Sequence, residues 1–380
     1  MRLIRASIEG MKRGINTISL LGLAASACFC AGLCGCLSAS MGQNTQNKNA
    51  QYRAFGDSIT GGATLADPDA EAYPALLSQE LNVTVHNFAD AGDQACDVAA
   101  RQIFPNGESP ALASHPVYSL LIGTNDVDNE GAGAYERTFI ACHEASLAWL
   151  ALPAEYKTLA GGSGFVADGP GALDTSNGWN AWTTQGEGSS VSFTITIARA
   201  GAIYAWPLMD DASMATYTYA LDGVVSGTAS VRPSPLMVTR NGTTRSLGFL
   251  RWADVPAGRH TITFTQISSG ASGVSVVGVG SPAVDVSGQL PVVLAGTAPY
   301  QLHTGVDVGC QSSDAPCVAY NNDIMADVAL LAGDGLDVRP FDTRRYLQGT
   351  SAEMSDATHP NARGQQELSE AVKAAWTVAN

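Results

Sequence analysis

Charge is scarce in this chain, and positive charge most of all. Asp, Glu, Lys and Arg make up 14% of the 380 residues, and the 20 basic side chains face 35 acidic ones, for a formal net charge of −15. Nucleic acid and anionic membrane surfaces are therefore poor partners on electrostatic grounds. Histidine is also rare, with six residues. None stands at ligand spacing from a cysteine, which argues against a metal site. No internal repeat is visible, and no low-complexity tract beyond residues 37–50. Gly, Ser, Thr and Ala are plentiful instead, a composition common in exported bacterial proteins. The length suggests two domains, or one domain with a large insert, and is ample for a buried core.

Residues 1–36 read as an export signal. Arg2, Arg5, Lys12 and Arg13 give a basic start, and residues 17–33 form an apolar core too short for a membrane span. The run Leu33-Cys34-Gly35-Cys36 resembles a bacterial lipobox, with Cys36 as the lipidated first residue of the mature chain, although Cys34 stands where a small residue is usual. Soluble export with cleavage near Ala39-Ser40 is the alternative. Residues 37–50 form a flexible tether in either case. The expected location is the outer membrane or periplasm as an anchored lipoprotein, or the medium as a secreted protein.

Four of the eight cysteines lie in this leader, which leaves Cys96, Cys142, Cys310 and Cys317. An even number in an exported chain favours disulfides. Cys310 and Cys317 bracket a short loop and form the obvious pair, and Cys96 with Cys142 follows by elimination.

From residue 51 strand-like and helix-like segments alternate. Residues 71–82 place Tyr73, Leu76, Leu77 and Leu81 at helical spacing, 83–89 read as a strand, 93–104 as a helix, 117–122 as a buried strand and 134–150 as a helix. Such repeats predict a parallel sheet covered on both faces. Between 153 and 286 the texture changes to alternating runs at 191–197, 215–221, 247–252 and 260–267. Turn signals at Asp222-Gly223, Asn241-Gly242 and Pro256-Ala257-Gly258 separate them. This predicts an all-β sandwich or jelly roll. The α/β texture returns with strands at 290–295 and 336–341 and helices at 322–331 and 362–376. The last helix presents Leu368, Ala371, Val372, Ala375 and Trp376 on one face, with Pro360 suited to its first turn. The predicted organisation is an α/β domain (51–152 and 287–380) interrupted by an all-β domain (153–286).

Three segments carry chemistry. Gly56-Asp57-Ser58-Ile59-Thr60 follows the first strand, Gly123-Thr124-Asn125-Asp126 follows the strand at 117–122, and Asp356-Ala357-Thr358-His359-Pro360-Asn361 precedes the last helix. Sites in open α/β sheets form outside the carboxyl ends of the strands, so Ser58, Gly92 and Asn125, each just past a strand, converge there. A serine hydroxyl needs a base, and His359 is the candidate. Asp356, three residues earlier, is placed to fix its tautomer. The backbone N–H groups of Ser58 and Gly92 and the side-chain amide of Asn125 are the candidate oxyanion donors. Asp57 and Asp126 are expected to hold loops rather than react. Of the remaining histidines, only His303, after a strand end, is a candidate to line the pocket.

In these residues the chain resembles the SGNH hydrolases, also called the GDSL esterase/lipase superfamily. Ser58, Gly92, Asn125 and His359 match its four named residues, and Asp356 matches its triad carboxylate. Ile59 replaces the Leu of the nominal motif. The resemblance covers about 51–152 and 287–380. It implies a flavodoxin-like three-layer α/β/α fold and hydrolysis through an acyl-enzyme, with no metal and no cofactor. The β insert is similar in texture to carbohydrate-binding jelly-roll modules. Its Trp179, Trp182, Trp206 and Trp252 are either sugar-stacking or core residues. The expected function is an exported serine carboxylic-ester hydrolase that removes acetyl or other short acyl groups from a carbohydrate. The alternatives are a lipase or general esterase for longer chains, acyl transfer to a sugar hydroxyl, and a non-catalytic glycan-binding surface lipoprotein. The expected partners are a small-molecule or glycan ester, carbohydrate at the insert, and a membrane through the lipid anchor alone.

Overall fold

The computed structural model describes residues 52–106, 116–131, 133–175, 180–239, 241–268, 273–286, 288–302, 310–311 and 314–377. The leader, the tether, Cys36, Trp179 and His303 lie outside the described residues. The helices are α1 (Ser58–Gly61), α2 (Pro68–Glu71), α3 (Tyr73–Leu81), α4 (Ala95–Asp97), α5 (Phe104–Asn106), α6 (Thr124–Glu130), α7 (Glu136–Ala151), α8 (Ala315–Gly333) and α9 (Ala362–Thr377). None of these is long and apolar enough to cross a membrane.

Five parallel strands form one sheet: β1 (Tyr52–Gly56), β2 (Val85–Asn87), β3 (Val117–Leu121), β16 (Val292–Gly296) and β17 (Val338–Phe341). Their spatial order is β2-β1-β3-β16-β17. Numbered within the sheet alone this is 2-1-3-4-5, a doubly wound order whose switch point lies between β1 and β3. Strand alternation explains the layers. Tyr52 and Ala54 face a core completed by Tyr73 and Leu77 of α3 and Leu368 and Val372 of α9. Phe55, with Tyr118 and Leu120 of β3, faces the opposite core, completed by Leu147 of α7 and Ile324 of α8.

Between β3 and β16 the chain builds two antiparallel sheets. The strands are β4 (Lys157–Leu159), β5 (Phe165–Asp168), β6 (Gly171–Asp174), β7 (Ala181–Thr184), β8 (Ser190–Ile197), β9 (Gly201–Asp210), β10 (Thr216–Leu221), β11 (Val224–Ser230), β12 (Arg245–Leu247), β13 (Leu250–Val255), β14 (Gly258–Gln266) and β15 (Ser275–Gly280). One sheet runs β11-β10-β14-β8-β5; the other runs β12-β9-β15-β7-β6, with β13 on β9 and β4 on β15. Asp222 and Gly223, both at positive φ, make the tight turn between β10 and β11 that the dipeptide predicts.

The single run expected at 247–252 is two strands. β12 pairs with the far end of β9 and β13 with its near end, and the Gly248 N–H bonds Pro207 O between them. Strand β9 itself is buried on both faces. Ile203 and Ala205 enter the sandwich core, while Tyr204, Trp206 and Leu208 join the core that α7 covers. A strand covered on both sides loses the period-two pattern, which is why it was hidden in the sequence. Trp206 stands edge-on to Trp149 of α7 at 5.2 Å and donates to Ala145 O at 3.2 Å, so it is a core residue.

Glu144 on α7 lies close to Asp327 of α8 and Arg251 of β13. Burial, helped by the Asp327 charge and opposed by Arg251, pushes its carboxyl from 4.5 up to about 8. Between those values the native state holds a proton that the unfolded chain releases, so stability falls as pH rises through that window. Glu144→Gln is expected to match the parent Tm at pH 4.5 and to exceed it increasingly up to pH 8; thermal melts across that range check this.

Candidate active site

The site lies where β1 and β3 end. Gly56 is in register with Leu121, so the segments that follow each strand emerge side by side. At Gly56 an added Cβ would lie 2.3 Å from Thr60 Oγ1 and 2.4 Å from Leu121 O, so only glycine fits. Gln102 holds its peptide on both sides, accepting from Gly56 N–H at 3.0 Å and donating to Gly56 O at 2.7 Å.

Ser58 opens α1, capped by Asp57, whose Oδ1 accepts the Ile59 N–H at 2.9 Å. As a first-turn residue Ser58 carries an N–H with no acceptor inside the helix. Burial, with Asp93 and Asp128 nearby, raises the Asp57 carboxyl to about 7.

His359 and Asp356 arrive on the loop before α9. Asp356 Oδ1 accepts the backbone N–H groups of Thr358 at 2.8 Å and His359 at 2.7 Å, and Oδ2 lies 2.9 Å from His359 Nδ1. Burial opposes the Asp356 charge, but these donors outweigh it and hold the carboxyl below its usual range. A carboxylate only accepts, so Nδ1 carries the proton and Nε2 is left as an acceptor. Nε2 lies 3.0 Å from Ser58 Oγ. The His359 side chain is 25% exposed and that of Asp356 47%, so the site opens to solvent.

Pro360 was expected in the first turn of the last helix. Asn361 instead caps α9, its Oδ1 accepting from Arg363 and Gly364 N–H, and Pro360 falls one residue outside. Gln365 of α9 donates to Ile59 O and accepts from Tyr73 N–H, both at 2.9 Å, which pins the helix behind His359 to the Ser58 turn.

Gly92, at φ 85°, is the third residue of a turn closed by Asp93 N–H to Asp90 O, a position that requires positive φ. Asn125, in the first turn of α6, donates from Nδ2 to Asp93 O at 2.9 Å and lies 3.4 Å from Asp57 Oδ2. The structure thus brings Ser58, His359 and Asp356 into one hydrogen-bonded relay. It sets Asn125 between the Ser58 turn and the residue that follows Gly92. Asp126 accepts the Ala95 N–H with both oxygens at 3.2 Å, and burial raises its pKa well above the usual value.

The segment expected as a plain helix at 93–104 carries a wider π-helical stretch over Val98–Ile103. It presents Gln102 to Gly56 and to Asp93 Oδ2, at 2.8 Å for the latter. Sequence reasoning missed Gln102 and Gln365. No local signal marks them, because their partners lie 46 and 306 positions away. Both predicted disulfides are present: Cys96–Cys142 ties α4 to α7, and Cys310–Cys317 closes a seven-residue span. Among the described residues no group of three or more His, Cys, Asp or Glu side chains is arranged to hold a metal ion.

No family model and no curated protein matches the sequence. Among solved structures, a two-domain esterase active on acetylated mannans, co-crystallised with mannopentaose, is similar over 63% of this chain and 93% of its own, at 10% identity and TM-score 0.36. A CBM36 carbohydrate-binding module in complex with calcium and xylotriose covers 32% of this chain and 96% of its own, at 14% identity and TM-score 0.25. A CBM35 module from Cellvibrio japonicus covers 35% and 95%, at 16% identity and TM-score 0.26. At TM-scores this low the chemistry must be read from this chain's own residues.

Proposed function

We propose that this chain is an exported serine carboxylic-ester hydrolase of the SGNH type, acting on acetyl or other short acyl esters of a carbohydrate. One observation carries the reading: the hydrogen-bonded run from Asp356 through His359 to Ser58 Oγ. In this mechanism Nε2 takes the Oγ proton as Oγ attacks the ester carbonyl, and Asp356 stabilises the imidazolium. The Ser58 and Gly92 N–H groups and Asn125 Nδ2 receive the oxyanion. One Nδ2 proton is committed to Asp93 O. The other lies in the long contact to Asp57 and is the one offered to the oxyanion. His359 then returns its proton to the departing alcohol, leaving Ser58 acylated. Water, deprotonated by His359, attacks the acyl carbon, and His359 returns that proton to Ser58 Oγ as the acid leaves.

The open mouth around His359 supports a substrate borne on a larger molecule. On the antiparallel domain, half-buried Trp252 beside Tyr219 offers a flat aromatic edge suited to a sugar ring. Export and lipid attachment at Cys36 belong to the same proposal and rest on the leader sequence. The test is the rate on 4-nitrophenyl esters from acetate to octanoate. The rate is expected to be highest on acetate and to fall with length; a rise with length would replace the short-acyl reading with a lipase.

A further inference from the structure

We propose that Asn241 and Thr243, in the loop between β11 and β12, are positioning residues for the oxyanion donors, so that the antiparallel domain completes the esterase site. The inference rests on the esterase reading and deepens it.

The node is Asp93, the residue after Gly92. Its side chain is fully buried. It receives Arg101 Nη1 at 2.7 Å, Gln102 Nε2 at 2.8 Å and, from the other domain, Asn241 Nδ2. Its backbone carbonyl holds the Asn125 amide. Gln102 at the same time grips the Gly56 peptide ahead of Ser58. One aspartate therefore joins the strand end before the nucleophile, the Gly92 turn and Asn125. A second line runs beside it. Thr243 Oγ1 donates to Asp97 Oδ1 at 2.6 Å, and Asp97 Oδ2 accepts the Gln94 N–H at 3.1 Å. Gln94 Nε2 then reaches Asn125 O at 3.4 Å. Just past the loop, Ser246 of β12 donates from Oγ to Cys96 O at 2.9 Å. The loop and the start of β12 are thus fastened at three points between Asp93 and Asp97, just after the Gly92 turn.

Electrostatics give this fastening a distinctive signature. Asp93 is faced by Arg101, which Asp90 shares, and by the carboxylates of Asp57 and Asp97. Burial pushes the Asp93 carboxyl up to about 6, and the Asn241, Gln102 and Arg101 donors pull against that rise. Removing the Asn241 donor moves Asp93 further up. The acid limb of the rate profile then moves to higher pH, because neutral Asp93 releases its hold on Gln102 and Arg101. A loop that only packs would leave that limb in place.

The experiment measures 4-nitrophenyl acetate hydrolysis from pH 5 to 9, with Tm, for the full chain and for Ser58→Ala, Asn241→Ala, Thr243→Val and Thr243→Ser. Asn241→Ala and Thr243→Val are expected to lower kcat by roughly tenfold with KM within about twofold, less than the loss of a direct oxyanion donor. The acid limb of Asn241→Ala is expected to move up. Thr243→Ser, which keeps the hydroxyl, is expected to behave as the parent. If Ser58→Ala is inactive while Asn241→Ala and Thr243→Val keep the parent kcat and acid limb, the positioning role is overturned and the esterase reading stands. Equal losses in Thr243→Ser and Thr243→Val would likewise overturn it, as a packing effect. Activity that survives in Ser58→Ala overturns the esterase reading itself, and this inference with it.

Discussion

Ser58→Ala is expected to lower kcat on acetyl esters by roughly 10⁴- to 10⁶-fold, with the Tm close to that of the parent. The size follows from the relay. With no Oγ to acylate, what remains is the residual acceleration from the oxyanion donors and binding, on the order of 10³- to 10⁴-fold over water. His359→Ala is expected to be nearly as damaging, because Oγ keeps its proton. The double variant should be little worse than either alone, since the two residues act as one unit. Asp356→Asn should also lose about 10⁴-fold. Its amide would face Nδ1 with either an N–H or an acceptor, and the tautomer that leaves Nε2 free would no longer be enforced. Steady-state kinetics on this set, with circular dichroism to show folding, is the check. Additive losses in the double variant would mean that Ser58 and His359 do not share a step.

Trp206→Ala is expected to have the largest effect on stability, a loss of about 3–5 kcal/mol in urea unfolding. The indole is fully buried. It packs edge-on against Trp149, donates to Ala145 O, and has the Lys157 ammonium 5.6 Å from its ring. Its removal opens a cavity between β9 and α7 and deletes the indole's hydrogen bond to Ala145 O. Because β9 also lines the sandwich core, the parallel and antiparallel parts are expected to unfold in one transition, displaced to lower urea. Trp252→Ala, half-buried and anchored through Ser226 Oγ, should cost less than about 1 kcal/mol. Two separated transitions for Trp206→Ala would show that the shared core does not couple the parts.

The residues of the relay were legible because each sits at the end of a strongly patterned element. Ser58 follows an apolar strand, and Asp356 and His359 precede an amphipathic helix; Asn125, outside the relay, likewise follows a strand. The strands of the parallel sheet and the change of texture near residue 153 were visible for the same reason. In the antiparallel domain, where strands are read from alternation, those with two covered faces stayed hidden. Strand β9 shows no alternation, and β15 is buried along its whole length with two glycines. The polar supports were also hidden. Gln102, Gln365 and Asn241 act across 46, 306 and 148 positions of sequence, and no local pattern marks an amide whose partner is that remote. The π-helical stretch was missed because its composition is that of any apolar helix. Within it Gln102 bonds the Gly56 peptide, a contact no local pattern foretells.

The loop that carries His359 has a consequence for how the site is built. Asp356 takes its two backbone donors and the imidazole from residues no more than three positions away. Acid and base therefore form a short self-contained cassette, assembled by the chain's own local turn. The contact from Nε2 to Oγ spans the 301 residues back to the nucleophile. Gln365 sets the distance across which that contact is made, by holding α9 to Ile59 of α1 and Tyr73 of α3. The proton geometry of the candidate base is thus settled within four residues, while its reach to Ser58 depends on a long-range separation.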